Sequence, residues 1–129
     1  MKTEQKKILV VEDEDVLLRA LASVLEEAGF GVIPAHDGEE GLALALSEHP
    51  DLILLDIVMP KMDGMTVMKK LRENAWGKKV PIILLTNLVA DDRILEGVTR
   101  DEPSFYLVKS DWKVSDVPAK VKERLGIED

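Results

Sequence analysis

The chain is 129 residues long and carries 25 acidic against 17 basic side chains, a formal charge of −8 at neutral pH. A hydrophobic share of 46% beside 33% charged residues argues against a disordered chain, and the acidic balance argues against unspecific attachment to nucleic acid or anionic lipid, whose phosphates it repels. No cysteine is available for a disulfide, which fits a reducing compartment, and the length suits one domain.

Residues 1–7 are polar and basic, and only the short run Ile8-Leu9-Val10-Val11 follows before Glu12, so no signal-peptide core is read there and a cytoplasmic protein is expected. That run is continuously apolar, as strands covered on both faces are. Leu17, Leu21, Val24, Leu25 and Ala28 then recur at helical spacing, with Gly29 as the stop. A second strand is read at Gly31-Val32-Ile33. Leu42, Ala45, Leu46 and His49 form the next helical stripe, ended before Pro50. Residues 52–55, Leu-Ile-Leu-Leu, are the third strand and are far too short to span a bilayer. Val67, Met68 and Leu71 mark the third helix, with Asp63 as its N-cap.

The fourth strand is expected over residues 80–85. Beyond it Ile94, Leu95 and Val98 have helical spacing, but Gly97 interrupts them and residues 99–104 read as loop, which predicts a short or irregular element. Phe105-Tyr106-Leu107-Val108 is the fifth strand, and Val114, Val117, Val121 and Leu125 form the last helix, stopped by Gly126. The alternation predicts an α/β fold: a three-layer, doubly wound sandwich of parallel strands joined by right-handed crossovers, with no repeat or linker.

Acids stand at the ends of these strands. Glu12 and Asp13 follow the first run and Asp56 follows the third. In doubly wound sheets ligands bind at the carboxyl ends of the strands, and neighbouring first and third strands bring three carboxylates to one place. Two unit charges about 4 Å apart repel by about 4 kcal/mol at an effective dielectric near 20, and a hard divalent cation such as Mg²⁺, which takes oxygen ligands, relieves that repulsion. Thr86 and Lys109 close the fourth and fifth runs. A hydroxyl and an ammonium beside a Mg²⁺ site make a pocket for a phosphoryl group.

The stretch Asp56-Ile57-Val58-Met59-Pro60-Lys61-Met62-Asp63-Gly64, taken with Glu12, Asp13, Thr86 and Lys109, closely resembles the receiver domain of two-component response regulators. The resemblance covers nearly the whole chain and implies a single receiver domain over residues 1–129 with a flavodoxin-like, five-stranded sheet in the order 2-1-3-4-5. It implies that Asp56 accepts a phosphoryl group from a sensor histidine kinase or phosphotransfer protein. Asp13, Asp56 and the Val58 carbonyl then bind Mg²⁺, and Glu12 acts through a metal-bound water. Lys109 and Thr86 meet the phosphoryl oxygens, and Tyr106 repacks with Thr86 to present a switched face to a downstream protein. Such a domain is not a turnover enzyme, although it assists its own phosphorylation and dephosphorylation; it contacts neither nucleic acid nor membrane directly.

Some positions depart from the common receiver pattern. Asn87 stands where a small residue is usual, and Ser110 replaces the proline that usually follows the lysine. Val58 and Leu88, each two residues past a site residue, are apolar and cannot orient an attacking water, which predicts slow self-dephosphorylation. Other classes fit less well. A phosphatase of the haloacid dehalogenase type wants a second acid where Val58 stands, and a flavin-binding module wants a phosphate cradle where Glu12-Asp13-Glu14-Asp15 repels one. The remaining alternative, a degenerate receiver that binds partners without phosphorylation, is opposed by the intact acids, threonine and lysine.

Overall fold

The computed structural model describes residues 5–86, 105–108 and 112–127, the side chains of 86 and 105–108 excepted. The aliphatic runs become parallel strands: β1 (Lys7–Val11), β2 (Gly31–Ala35), β3 (Leu52–Asp56), β4 (Ile82–Thr86) and β5 (Phe105–Val108). They form one sheet in the order β2-β1-β3-β4-β5. Helices α1 (Asp15–Glu27), α2 (Gly38–Glu48), α3 (Gly64–Arg72) and α4 (Val117–Leu125) alternate with them, α4 after a short 3₁₀ turn at Val114–Asp116. The irregular element expected around Ile94, Leu95 and Val98 lies outside the described residues.

Strand side chains point alternately to the two faces, and both faces are covered. Leu9, Val11, Ile53, Leu55, Ile82 and Leu84 pack with Ala45 of α2 and Val67, Met68 and Leu71 of α3. Ile8, Val10, Leu52, Leu54, Ile83 and Leu85 pack with Leu18, Leu21 and Leu25 of α1 and Val117 and Val121 of α4. This two-sided burial is why the central runs carry no polar alternation. At the edge, β2 is less buried and accommodates Pro34, whose missing N–H an edge strand tolerates.

Two helical stripes differ in detail from their sequence expectation. On α1 the fully buried line is Leu18, Leu21 and Leu25, with Leu17 at its margin. On α2 the buried residues are Gly38, Gly41 and Ala45, while Leu46 is 38% exposed. Small residues let α2 lie close to the sheet: a Cβ at Gly41 would press on the Val11 side chain. The expected stops are in place, since Gly29 and Gly126 adopt positive φ of 98° and 70° just past α1 and α4. Asp63 caps α3, its Oδ1 accepting the Thr66 N–H at 2.9 Å. Trp76 packs locally, stacked on His49 with ring centroids 4.4 Å apart. No helix among the described residues is long and apolar enough to cross a membrane.

Leu21→Ala, which hollows a fully buried position, is expected to cost about 2–5 kcal/mol in urea unfolding. Leu46→Ala is expected to stay within about 0.5 kcal/mol of the parent protein; a cost equal to that of Leu21→Ala would contradict the α2 orientation.

A candidate metal centre at the carboxyl edge

In the parallel register of β1 with β3, Val11 pairs with Leu55. Glu12, which follows Val11, therefore emerges level with Asp56, the last residue of β3. Asp13 is next in the chain. The carboxylates of Glu12, Asp13 and Asp56 each place an oxygen within 4.8 Å of the others, the one such cluster among the described residues. Glu12 is 1% exposed and Asp56 6%, whereas Asp13 faces solvent.

Local hydrogen bonds fix Glu12. Its N–H donates to the Ala35 carbonyl of β2 at 3.0 Å, and its Oε2 accepts the Glu14 N–H at 3.0 Å. Helix α1 starts at Asp15, so the cluster stands just ahead of a helix N-terminus, whose partial positive charge offsets part of the repulsion. Glu12 and Asp56 are buried and Asp13 is not, and a cation shared by the three would relieve their repulsion. The donors are all hard oxygens, two from carboxylates sheltered by the fold, and that set fits Mg²⁺ better than a nitrogen- or sulfur-seeking metal.

After Asp56 the chain turns through residues 57–63 into α3. The Gly64 N–H donates to the Ile57 carbonyl at 2.8 Å, and a Cβ at Gly64 would overlap the Asp56 carbonyl oxygen. Only glycine lets the start of α3 close against the end of β3. Within the loop, Lys61 takes a positive φ of 67°, and the Met62 N–H reaches the Pro60 carbonyl at 2.8 Å, a tight three-residue turn. Val58 is 59% exposed beside the acids.

The start of α2 abuts this loop. Asp37 caps α2, its Oδ1 accepting the Glu40 N–H at 2.8 Å, and its Oδ2 lies 3.5 Å from the Lys61 ammonium. The Glu40 N–H, and after it the Lys61 charge, hold the Asp37 carboxyl below its usual 3.8. A Cβ at Gly38 would overlap the Met62 carbonyl. Neither Asp37, Gly38 nor Lys61 stands out as a site residue in the sequence, although Asp37 three residues before Glu40 is a helix-start signature; here the Glu40 carboxylate accepts the His36 N–H at 2.9 Å.

Of the expected site residues, Glu12, Asp13 and Asp56 come together and Val58 adjoins them. Asp56 pairs with Leu85, so the Thr86 backbone lies one position further along the same edge. Thr86 pairs with Val108 and Leu84 with Tyr106. Lys109, Asn87, Leu88 and Ser110 lie outside the described residues.

The profile of the response regulator receiver domain matches residues 8–112. Over 119 residues, 92% of the chain, it is 40% identical to the DNA-binding dual master transcriptional regulator RpaA of Synechocystis. It is 49% identical over 81 residues to the alkaline phosphatase synthesis transcriptional regulatory protein PhoP of Bacillus subtilis. The matched parts span 48% and 33% of those two proteins. In three dimensions the chain is similar to a CheY-like response regulator receiver domain protein from Methanospirillum hungatei, with a TM-score of 0.86, 28% identity and 95% of each chain covered.

Because Asp13 adds a third negative charge to the cluster, Asp13→Asn is expected to raise stability in metal-free buffer by about 1 kcal/mol, the Coulomb scale for close charges in water. The urea midpoint checks it; an unchanged or lower midpoint would mean that the three acids do not repel one another.

Proposed function

The chain belongs to the receiver-domain family of two-component response regulators, and from that membership we propose that it is one receiver domain across residues 1–129, acting in the cytoplasm as a phosphorylation-switched signalling domain with Asp56 as the phosphoryl acceptor. The observation that carries this reading is the closeness of Glu12, Asp13 and Asp56 at the carboxyl edge of the sheet. One Asp56 carboxylate oxygen attacks the phosphorus of a phosphohistidine on a sensor kinase or phosphotransfer protein. The new O–P bond forms as the N–P bond breaks, and the imidazole leaves with a proton.

Asp13, Asp56 and the Val58 carbonyl are the groups that would hold Mg²⁺, with Glu12 behind an intervening water. Bound there, Mg²⁺ supplies neutralisation of the charge on the transferring group. The Lys109 ammonium supplies a second positive charge, and the Thr86 hydroxyl hydrogen-bonds a phosphoryl oxygen. Tyr106 follows Thr86, and the face around β5 thereby takes a second arrangement that a downstream protein reads. The domain assists its own modification and turns over no separate substrate.

Incubation with Mg²⁺ and a small phosphodonor such as acetyl phosphate, read by intact mass, tests the assignment. A single phosphoryl adduct is expected on the parent protein and none on Asp56→Asn. An equal adduct on both, or none on either, would overturn it, the second outcome favouring a degenerate receiver.

The exposed, apolar Val58 beside Asp56 offers no group to orient a hydrolytic water. The adduct is accordingly expected to persist for minutes or longer without a phosphatase, followed as loss of the adduct mass. Decay within seconds would contradict this.

A further inference from the structure

The loop that carries the Val58 carbonyl is not held by β3 and α3 alone. It leaves Asp56, passes through the Lys61 turn and returns to Gly64, and at mid-course it rests on a different element, the N-terminus of α2. Two contacts are made there. The Gly38 Cα faces the Met62 carbonyl with no room for a side-chain atom, and the Asp37 carboxylate faces the Lys61 ammonium at 3.5 Å. Lys61 occupies the left-handed region, with φ of 67°, a conformation that a residue with a side chain keeps only where its surroundings over-determine it. An exposed ion pair by itself holds little, so the close backbone approach at Gly38 is the stronger of the two.

We propose that Asp37 and Gly38 are positioning residues for the metal centre, setting the course of residues 57–63 and so the place of the Val58 carbonyl relative to the carboxylates of Asp13 and Asp56. Neither of the two contacts touches the acids, so the effect reaches the centre only through the backbone of the loop. The inference rests on the proposed Mg²⁺ site and adds to it a dependence on a helix that contributes no ligand. A side chain at position 38 forces the Met62 carbonyl away, and the displacement has two outlets, the Lys61 turn and the stretch back to Asp56.

The test compares Gly38→Ala with Gly77→Ala. At Gly77 a Cβ would overlap the Leu71 carbonyl, a clash of the same kind placed between α3 and β4, away from the acids. Both variants are expected to lower the urea midpoint. Only Gly38→Ala is expected to weaken Mg²⁺ binding, about tenfold by titration calorimetry, and to speed exchange of the Met62 and Gly64 amide protons, whose acceptors are the Pro60 and Ile57 carbonyls. Equal Mg²⁺ affinity and equal exchange in the two variants would overturn the positioning role while leaving the metal site standing. Absence of Mg²⁺ binding by the parent protein would instead overturn the site, and the amide exchange would still decide whether α2 fixes the loop.

Should Gly38→Ala fail to fold, Lys61→Gln decides the matter, because two effects on it have opposite signs. Removing a positive charge near a cation site tightens Mg²⁺ by relieving long-range repulsion, whereas loss of the tether loosens it. About twofold weaker binding with faster Met62 exchange is expected; tighter binding with unchanged exchange would overturn the proposal.

Discussion

Val11 and Leu55 are partners in the parallel ladder between β1 and β3, so the chain continues beyond each of them at one height on the sheet. Glu12 and Asp13 emerge there on one side and Asp56 on the other, and their mutual repulsion has to be carried by the rest of the molecule. The scale is about 1 kcal/mol per close pair in water and about 4 kcal/mol at a dielectric near 20. Each fully buried aliphatic side chain stabilises by about 1.5–3 kcal/mol. The strands bearing the acids bury Ile8, Leu9, Leu52, Ile53, Leu54 and Leu55 completely or nearly so. Packing beneath the acids works against that repulsion and keeps them close.

Backbone proximity does the rest of the positioning. Gly64 admits the first turn of α3 to the carbonyl of Asp56, and Gly38 admits the start of α2 to the carbonyl of Met62. Between these two approaches runs the loop with Val58 at its exposed beginning. The centre is thus shaped by where side chains are missing as much as by where carboxylates are present. The same edge continues across the sheet, since Asp56 pairs with Leu85 and Thr86 with Val108, which links the acids through β4 to β5 along the backbone ladder.

Much of this was legible in the sequence, and the parts that were not share physical causes. The strands announced themselves because burial on both faces leaves no polar alternation, and the acids stood out as abrupt charges after runs such as Leu52-Ile53-Leu54-Leu55. Asp63 was readable as a cap because capping is a local bond. The phase of α1 was not, since Leu17 and Leu18 are adjacent and equally apolar, and only the tertiary partner selects Leu18. On α2, Leu42-Ala43-Leu44-Ala45-Leu46 offers apolar groups all around, and the buried face is the one with Gly38, Gly41 and Ala45, where a larger residue at 41 would meet Val11 of β1 and one at 38 would meet Met62 of the loop after β3. A pattern that scores bulk misses an interface built on its absence. The left-handed Lys61 was likewise hidden, because lysine carries no local preference for that conformation.

Glu12 and Asp56 are distant in the chain and meet only through the β1–β3 ladder. Contacts of this long-range kind carry a loop-closure cost that must be met before they reward the chain. A copy that has not zipped its first strand to its third has no gathered acids at all. Any ligand taken up at that rim favours the finished molecule, by about 2.7 kcal/mol at a hundredfold excess over its dissociation constant. The rim is therefore a property of the finished sheet alone, since its three acids are neighbours only once the two strands that bear them are paired.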